Sequence, residues 1–320
     1  MIEIAEILTP QPSPLWKLAK QAGVNRAVGV LDYQDAGSGL PWDYAALLRL
    51  KQRYEEGGFE LSVIESTPPI TKTQMNLPGK EEQIEWFKTM VVNMGKLGIP
   101  VLCYNWMPIL GVPRTSSSTP LRGGARAISY DHKLMRNAPP AGHLTEGELW
   151  ANLHSFLVEV IPVAEQAGVK LSMHPDDPPV PEIRGIRRIL RTIEAFDRLV
   201  EMVPSDANTI TMCQGNFTLM TDDLPAAIHH FGSRKKISFV HFRDVQGTPE
   251  TYVEVFHDEG KTDMLACMRA YKDINFEGVL RPDHVPAMDG DEPAYGHYSY
   301  RGSLFAIGYI RGLHEAVFGK

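Results

Sequence analysis

Short apolar runs rich in β-branched residues alternate with longer stretches of helical period along the chain, and that alternation leaves few folds open. The strand-like runs are "IEIAEIL" (2–8), "RAVGVL" (26–31), "LSVIES" (61–66), "PVLCYNW" (100–106), "VKLSMH" (169–174), "TITMC" (209–213), "ISFVHF" (237–242) and "GVLRPD" (278–283). Helical stretches lie between them. "PLWKLAKQAG" carries Pro14 where a first turn tolerates it and Gly23 as a stop. "TEGELWANLHSFLVEVIPVAEQAG" opens with a capping-box pattern, Thr145 to Glu148, and Pro162 predicts a kink in it. Eight strands, each followed by a helix, predict an α/β fold of the (β/α)8 TIM-barrel class. An open doubly wound sheet would need a Gly-rich first turn, and none is present. Residues 1–320 read as one barrel domain, because α/β barrels of this length form single domains. One connection is out of scale. Residues 107–143, rich in Pro, Gly and Ser, predict a lid or binding loop after the fourth strand, or else a disordered segment.

A formal charge of -7, with no basic stripe, argues against a nucleic-acid partner. Nowhere do about 18 apolar residues run together, which argues against a membrane span. The start, "MIEIAEILTPQPSP", has glutamates and no basic segment, unlike a signal peptide. The three cysteines, Cys103, Cys213 and Cys267, are widely spaced and odd in number, which suggests free thiols in a reducing, cytoplasmic setting.

In a barrel the chemistry sits where strands end, at the C-terminal face. The fifth strand ends in His174, the sixth in Cys213, the seventh in "VHFRD" with His241, and the eighth in "RPDH" with Asp283 and His284. Each of these residues alone has a bland explanation as a satisfied core or turn residue. Their shared position on consecutive strands favours convergence on one divalent transition metal, for which imidazole, thiolate and carboxylate are suitable donors. Cys103, within a strand, and Cys267, on a helix, read as small buried hydrophobes. His154, His229, His230 and His314 fall within helices, and His132 and His143 in the long loop.

The segments "CYNWMPILGVPRT", "HPDDPP", "TMCQGN", "VHFRD", "FHDEGKTDM" and "RPDHVP", in that order, resemble the mannonate dehydratase family, and "GHYSYRGSLFAIGYIRGLHEA" is similar to that family's C-terminal end. The resemblance runs from about residue 60 onward. It implies a xylose-isomerase-like TIM barrel that removes water from D-mannonate to give 2-dehydro-3-deoxy-D-gluconate with a divalent metal, Mn2+ in the family. By position it assigns His174, Cys213, His241 and Asp283 as metal ligands and His284 and Tyr298 as the catalytic pair. Arg114, Arg243 and Asn105 are expected near substrate. Asp176 and Asp177 are expected to support a ligand histidine. Donor softness alone also admits Fe2+, Co2+ or Zn2+. The chain departs from the family in its first strand, in "CQGN" and in "HFRD", and the exact sugar acid stays open.

Such a reaction removes the C2 proton beside a carboxylate and expels the C3 hydroxyl, so it needs a base, an acid and charge stabilisation. Tyr298, its phenol lowered by the cation, is assigned the base and His284 the acid, with the reverse also open. The expected partner is a small sugar acid, with no nucleic acid and no membrane. A homo-oligomer such as a dimer is compatible with the sequence but not read from it. The rival functions are a metal-dependent sugar isomerase or epimerase on the same barrel, and a sugar-acid-binding homologue without catalysis.

Overall fold

The computed structural model describes residues 2–35, 37, 39–136, 138–291, 293–295 (backbone alone) and 298–319. Its strands are β1 (Glu3–Ile7), β2 (Arg26–Gly29), β3 (Glu60–Ile64), β4 (Val101–Asn105), β5 (Ser116–Pro120), β6 (Arg126–Asp131), β7 (Lys170–His174), β8 (Glu182–Ile183), β9 (Ile186–Arg187), β10 (Asn208–Cys213), β11 (Ile237–Phe242), β12 (Val245–Thr248), β13 (Thr251–Glu254), β14 (Val279–Pro282), β15 (Pro293–Tyr295) and β16 (Tyr298–Ser299). Eight of them close a parallel barrel in the order β1-β14-β11-β10-β7-β4-β3-β2, with β2 returning to β1. These are the eight runs expected from the alternation.

Alternation along each strand sorts the side chains between two layers. Ala5, Val28, Val63, Val101, Cys103, Phe239 and Val279 form the inner cluster, mostly small or β-branched as a narrow barrel requires. The outward set, including Leu61, Leu102, Leu171 and Ile210, packs with Leu47, Phe87, Phe156 and Leu199 of the surrounding helices. Hydroxyls that share the barrel centre satisfy one another: Ser172 Oγ lies 2.8 Å from Thr211 Oγ1, and Ser238 Oγ donates to Ser172 Oγ at 2.9 Å.

The helix Glu146–Ala167 begins with the expected capping box between Thr145 and Glu148. Pro162 lies inside it and does not end it. The last helix, Tyr300–Phe318, starts where Ser299 Oγ accepts from the Gly302 N–H. Among the described residues no helix is long and apolar enough to cross a membrane.

The long connection after β4 is not a structureless loop. It folds into β5, β6 and the short helix His132–Arg136. β6 pairs antiparallel with β13, which belongs to a hairpin inserted after β11, and the two excursions make one sheet in the order β12-β13-β6-β5. A small separate core of Tyr130, Val180, Ile183, Leu219, Val245 and Tyr252 lies with it. The excursion sheet thus ties the fourth barrel connection to the seventh, above the strand ends.

Candidate metal centre and active site

β7, β10, β11 and β14 are consecutive in the barrel, so their C-terminal ends lie side by side. β7 ends on His174 and β10 on Cys213, Cys213 is in register with His241 of β11, and Asp283 follows β14 directly. Donor atoms of His174, Cys213 and His241 all lie within 4.8 Å of one another. Asp283 Oδ2 joins them, 3.4 Å from His241 Nδ1 and 3.9 Å from Cys213 Sγ. The structure therefore brings together the four side chains that the strand-end pattern singled out.

Both imidazoles are held so that one nitrogen faces the others. His174 donates Nδ1–H to the Pro175 carbonyl at 2.8 Å, which leaves Nε2 as its donor atom. His241 meets Glu65 Oε2 through Nε2 at 3.3 Å, while its Nδ1 is buried without a hydrogen bond. The thiol is primed as well. Burial alone would raise Cys213, but Arg243, with Nε 3.3 Å from Sγ, and the two histidines bring it down to about 5. Burial is likewise outweighed at Asp283, which His284, Arg281 and His241 hold well below the usual carboxylate range. Two imidazoles, a thiol brought down toward thiolate and a carboxylate, converging where the buried His241 Nδ1 makes no hydrogen bond, fit a divalent transition metal.

A cavity of about 370 Å³ opens over these atoms, lined by Glu65, Asn105, His174, Asp177, His284 and Tyr298 among others. A larger cavity, about 570 Å³, opens at the opposite, N-terminal mouth, where Lys170, Thr209 and Ser238 line it, remote from the donor atoms. Asn105, exposed at the end of β4, accepts from the Met107 N–H at 3.1 Å. Tyr298 donates its hydroxyl to Asp283 Oδ1 at 2.7 Å. Burial, only partly offset by Arg281, pushes that phenol well above its ordinary value, so in this structure it is an O–H donor to Asp283. Tyr298 and Tyr300 are described, whereas Gly296, His297 and the Tyr295 side chain lie outside the described residues.

Behind the cavity lies a buried ionic network. Arg114, from the excursion after β4, meets Asp177 Oδ1 at 2.8 Å and Glu254 Oε1 at 2.6 Å. Arg243 donates to Asp177 Oδ2 at 2.8 Å, to Asn216 Oδ1 at 2.8 Å and to Glu254 Oε2, and its Nε lies 2.9 Å from Asp283 Oδ2. Gly215 of the "CQGN" turn is needed for this approach, since a Cβ there would come within 2.6 Å of Arg243 Nη1. Two buried carboxylates need such counter-charges, and this accounts for where both arginines point. Asp176 and Asp177 make their hydrogen bonds to groups other than the histidines His174 and His241. Asp176 accepts from the Leu190 N–H at 2.7 Å and lies 3.4 Å from Arg188 Nη1; Asp177 accepts from Tyr252 at 2.7 Å. The supporting role expected of them is filled by Pro175 and Glu65.

Several site residues escaped the sequence. Glu65 is the penultimate residue of the "LSVIES" run and directly follows β3, and a carboxylate at a barrel strand end was the available signal. Arg281 holds Glu65 through Nη2 at 2.8 Å and lies 3.0 Å from Asp283 Oδ1. Cys103, read as a mere hydrophobe, lines the cavity beside Glu65 and His241. Glu254 had no local signal.

The D-mannonate dehydratase family model matches residues 14–146 and 141–319. A mannonate dehydratase of Streptococcus equi subsp. zooepidemicus is 34% identical over 314 residues, covering 88% of this chain and 85% of that protein. One from Thermotoga maritima is 32% identical over 332 residues, covering 92% and 91%. The crystal structure of mannonate dehydratase from Streptococcus suis superposes with a TM-score of 0.91 at 31% identity, over 99% of this chain and 93% of that one. An L-ribulose 3-epimerase structure, at 16% identity and a TM-score of 0.62, shares the fold alone. With the family model spanning nearly the whole barrel and curated relatives above 30% identity, this chain belongs to the mannonate dehydratase family.

Proposed function

We propose that this chain is a hydro-lyase that removes water from D-mannonate, giving 2-dehydro-3-deoxy-D-gluconate, at the cavity above β7, β10, β11 and β14. The observation that carries the proposal is the convergence of four donor side chains beside two proton-transfer groups, in a member of this family. His174, Cys213, His241 and Asp283 would hold the divalent cation, with Mn2+ as the expected ion and Fe2+, Co2+ or Zn2+ as alternatives of similar donor preference. When bound, the cation supplies Lewis acidity to the substrate carboxylate and C2 hydroxyl, where charge develops.

The chain's own groups move the protons. His284 lines the cavity, with Nε2 3.8 Å from Asp283 Oδ1, and Tyr298 stands on Asp283 through its hydroxyl. Because Tyr298 arrives as an O–H donor, His284 is assigned the base and Tyr298 the acid, the reverse of the order preferred from sequence. His284 takes the C2 proton and the C–H electron pair becomes the C2–C3 double bond. The C3–O bond breaks as the Tyr298 proton converts the leaving hydroxyl to water. The resulting enol takes its keto form, and the proton held on His284 restores Tyr298 through solvent, so no net proton is gained or lost. Asn105 and the hydroxyls of Ser66 and Thr67 line the same cavity and suit a polyol tail.

Incubation of verified metal-free protein with D-mannonate, then repetition with Mn2+, Fe2+, Co2+ and Zn2+, tests the proposal. The expected result is a 2-keto product lighter by one water, formed only with metal. A product of unchanged mass would identify an isomerase or epimerase instead, and binding without turnover on any metal would leave a sugar-acid-binding protein.

A further inference from the structure

His284 is held by a part of the fold outside the barrel. Its backbone adopts φ 44, a left-handed conformation unusual for a residue other than glycine. That turn, directly after Asp283, presents Nδ1 to Glu254 Oε1 at 3.1 Å. Glu254 ends β13, the strand that pairs with β6 of the excursion after β4, and it is 1% exposed. Arg114 Nη2 also lies 3.4 Å from His284 Nδ1, and it donates to the same carboxylate oxygen at 2.6 Å. Arg243 donates to the other oxygen.

These contacts decide which nitrogen carries the proton. A guanidinium only donates and a carboxylate only accepts. The carboxylate is the nearer neighbour of Nδ1, and its second oxygen and one shared position are already occupied by arginines, which fix its orientation. We infer that Glu254 is a positioning residue for the dehydration: it accepts the Nδ1–H of His284, so that Nε2 keeps its lone pair toward the cavity and is the atom that takes the C2 proton. The inference rests on the base role proposed above for His284. A proton passing from C2 to Nε2 then leaves an imidazolium paired with an ionised carboxylate, and Glu254 itself neither gains nor loses a proton. The sheet made by the two excursions is therefore part of the acid–base apparatus, since β6 holds the strand that delivers Glu254.

The test combines a tautomer measurement with a double-mutant cycle. Nitrogen NMR of 15N-histidine-labelled protein loaded with diamagnetic Zn2+, at a pH where imidazoles are neutral, reports which nitrogen of His284 is protonated, with His284→Asn identifying its signals. Wild type is expected to carry Nδ1–H, and Glu254→Gln to shift toward Nε2–H. In the Mn2+ form, Glu254→Gln is expected to lower kcat by roughly 10²-fold, with KM changed by less than about 3-fold and metal content unchanged. In the His284→Asn background the same substitution is expected to lower kcat by no more than about 2-fold, because the residues act as one unit. An Nε2–H tautomer in wild type overturns the inference without needing any variant to fold. Equal losses from Glu254→Gln with and without His284 would assign Glu254 a merely structural role. Wild-type protein that fails to dehydrate mannonate sinks the substrate assignment, while the tautomer result still judges the pairing.

Discussion

A histidine can offer either ring nitrogen to a metal, and whatever meets the other nitrogen makes the choice. For His241 that neighbour is Glu65, whose carboxylate Arg281 also grips. Burial would raise Glu65, but Arg281 and His241 hold it at about 2, so it is ionised at any working pH. Glu65→Gln should therefore weaken Mn2+ binding about 10–100-fold, measured by calorimetric titration; an unchanged dissociation constant would show that the carboxylate does not support the ligand. The convergence of the four candidate ligands was legible from sequence because a barrel forces strand ends onto one rim, so position on consecutive strands stands in for distance. Glu65 was not, because its importance comes from what faces it across the barrel mouth, on β11 and β14. The two arginines were recognised as site residues, but their direction was not. Asp177 and Glu254 are buried carboxylates that compete for the guanidinium groups, and Glu254 cannot be placed without the excursion sheet.

At the scale of elements, the barrel strands were readable from local periodicity, whereas the excursion sheet was not. β5 and β6 lie in polar, Pro- and Gly-rich sequence, and β6 finds its partner more than a hundred residues later, in β13. Such pairing leaves no local pattern. β1 hides a different feature. Ala5 and Ile7 pack with the inner cluster, and Glu6 between them is fully buried. Burial, against a smaller pull from Arg281, raises its carboxyl to about 8. In the unfolded chain a glutamate titrates near ~4.3. The folded state thus binds the proton more tightly, and this contribution to stability is complete below pH ~4 and is lost as pH rises through about 8. Glu6→Gln removes the ionisation and keeps the oxygen that accepts from the Ile7 N–H at 3.0 Å. Thermal melts should show little change at pH 5 and a gain of roughly 2–4 kcal/mol over wild type at pH 9. Equal stability of the two proteins at pH 9 would mean that Glu6 ionises without penalty.

For the whole molecule, the proposed metal centre would also be a tie across the sheet. Its donors come from β7, β10, β11 and β14, half of the barrel staves, so an ion bound there joins segments spread over the C-terminal half of the chain. The unfolded chain cannot present those four groups together, so binding free energy adds to folding free energy. At a free Mn2+ concentration one hundred times the dissociation constant the gain is about 2.7 kcal/mol, which for a chain of this length raises the melting temperature by about 4 °C. Cys213→Ser should abolish that rise, since a hydroxyl replaces the thiolate that Arg243 and the two histidines stabilise. His284→Asn should retain it while losing turnover, because His284 Nδ1 is turned to Glu254 and the histidine is not one of the four proposed ligands. Scanning calorimetry of the three proteins with and without Mn2+ separates the two functions of the rim. A full metal-dependent shift in Cys213→Ser would place the ion elsewhere, and loss of the shift in His284→Asn would make that histidine a ligand.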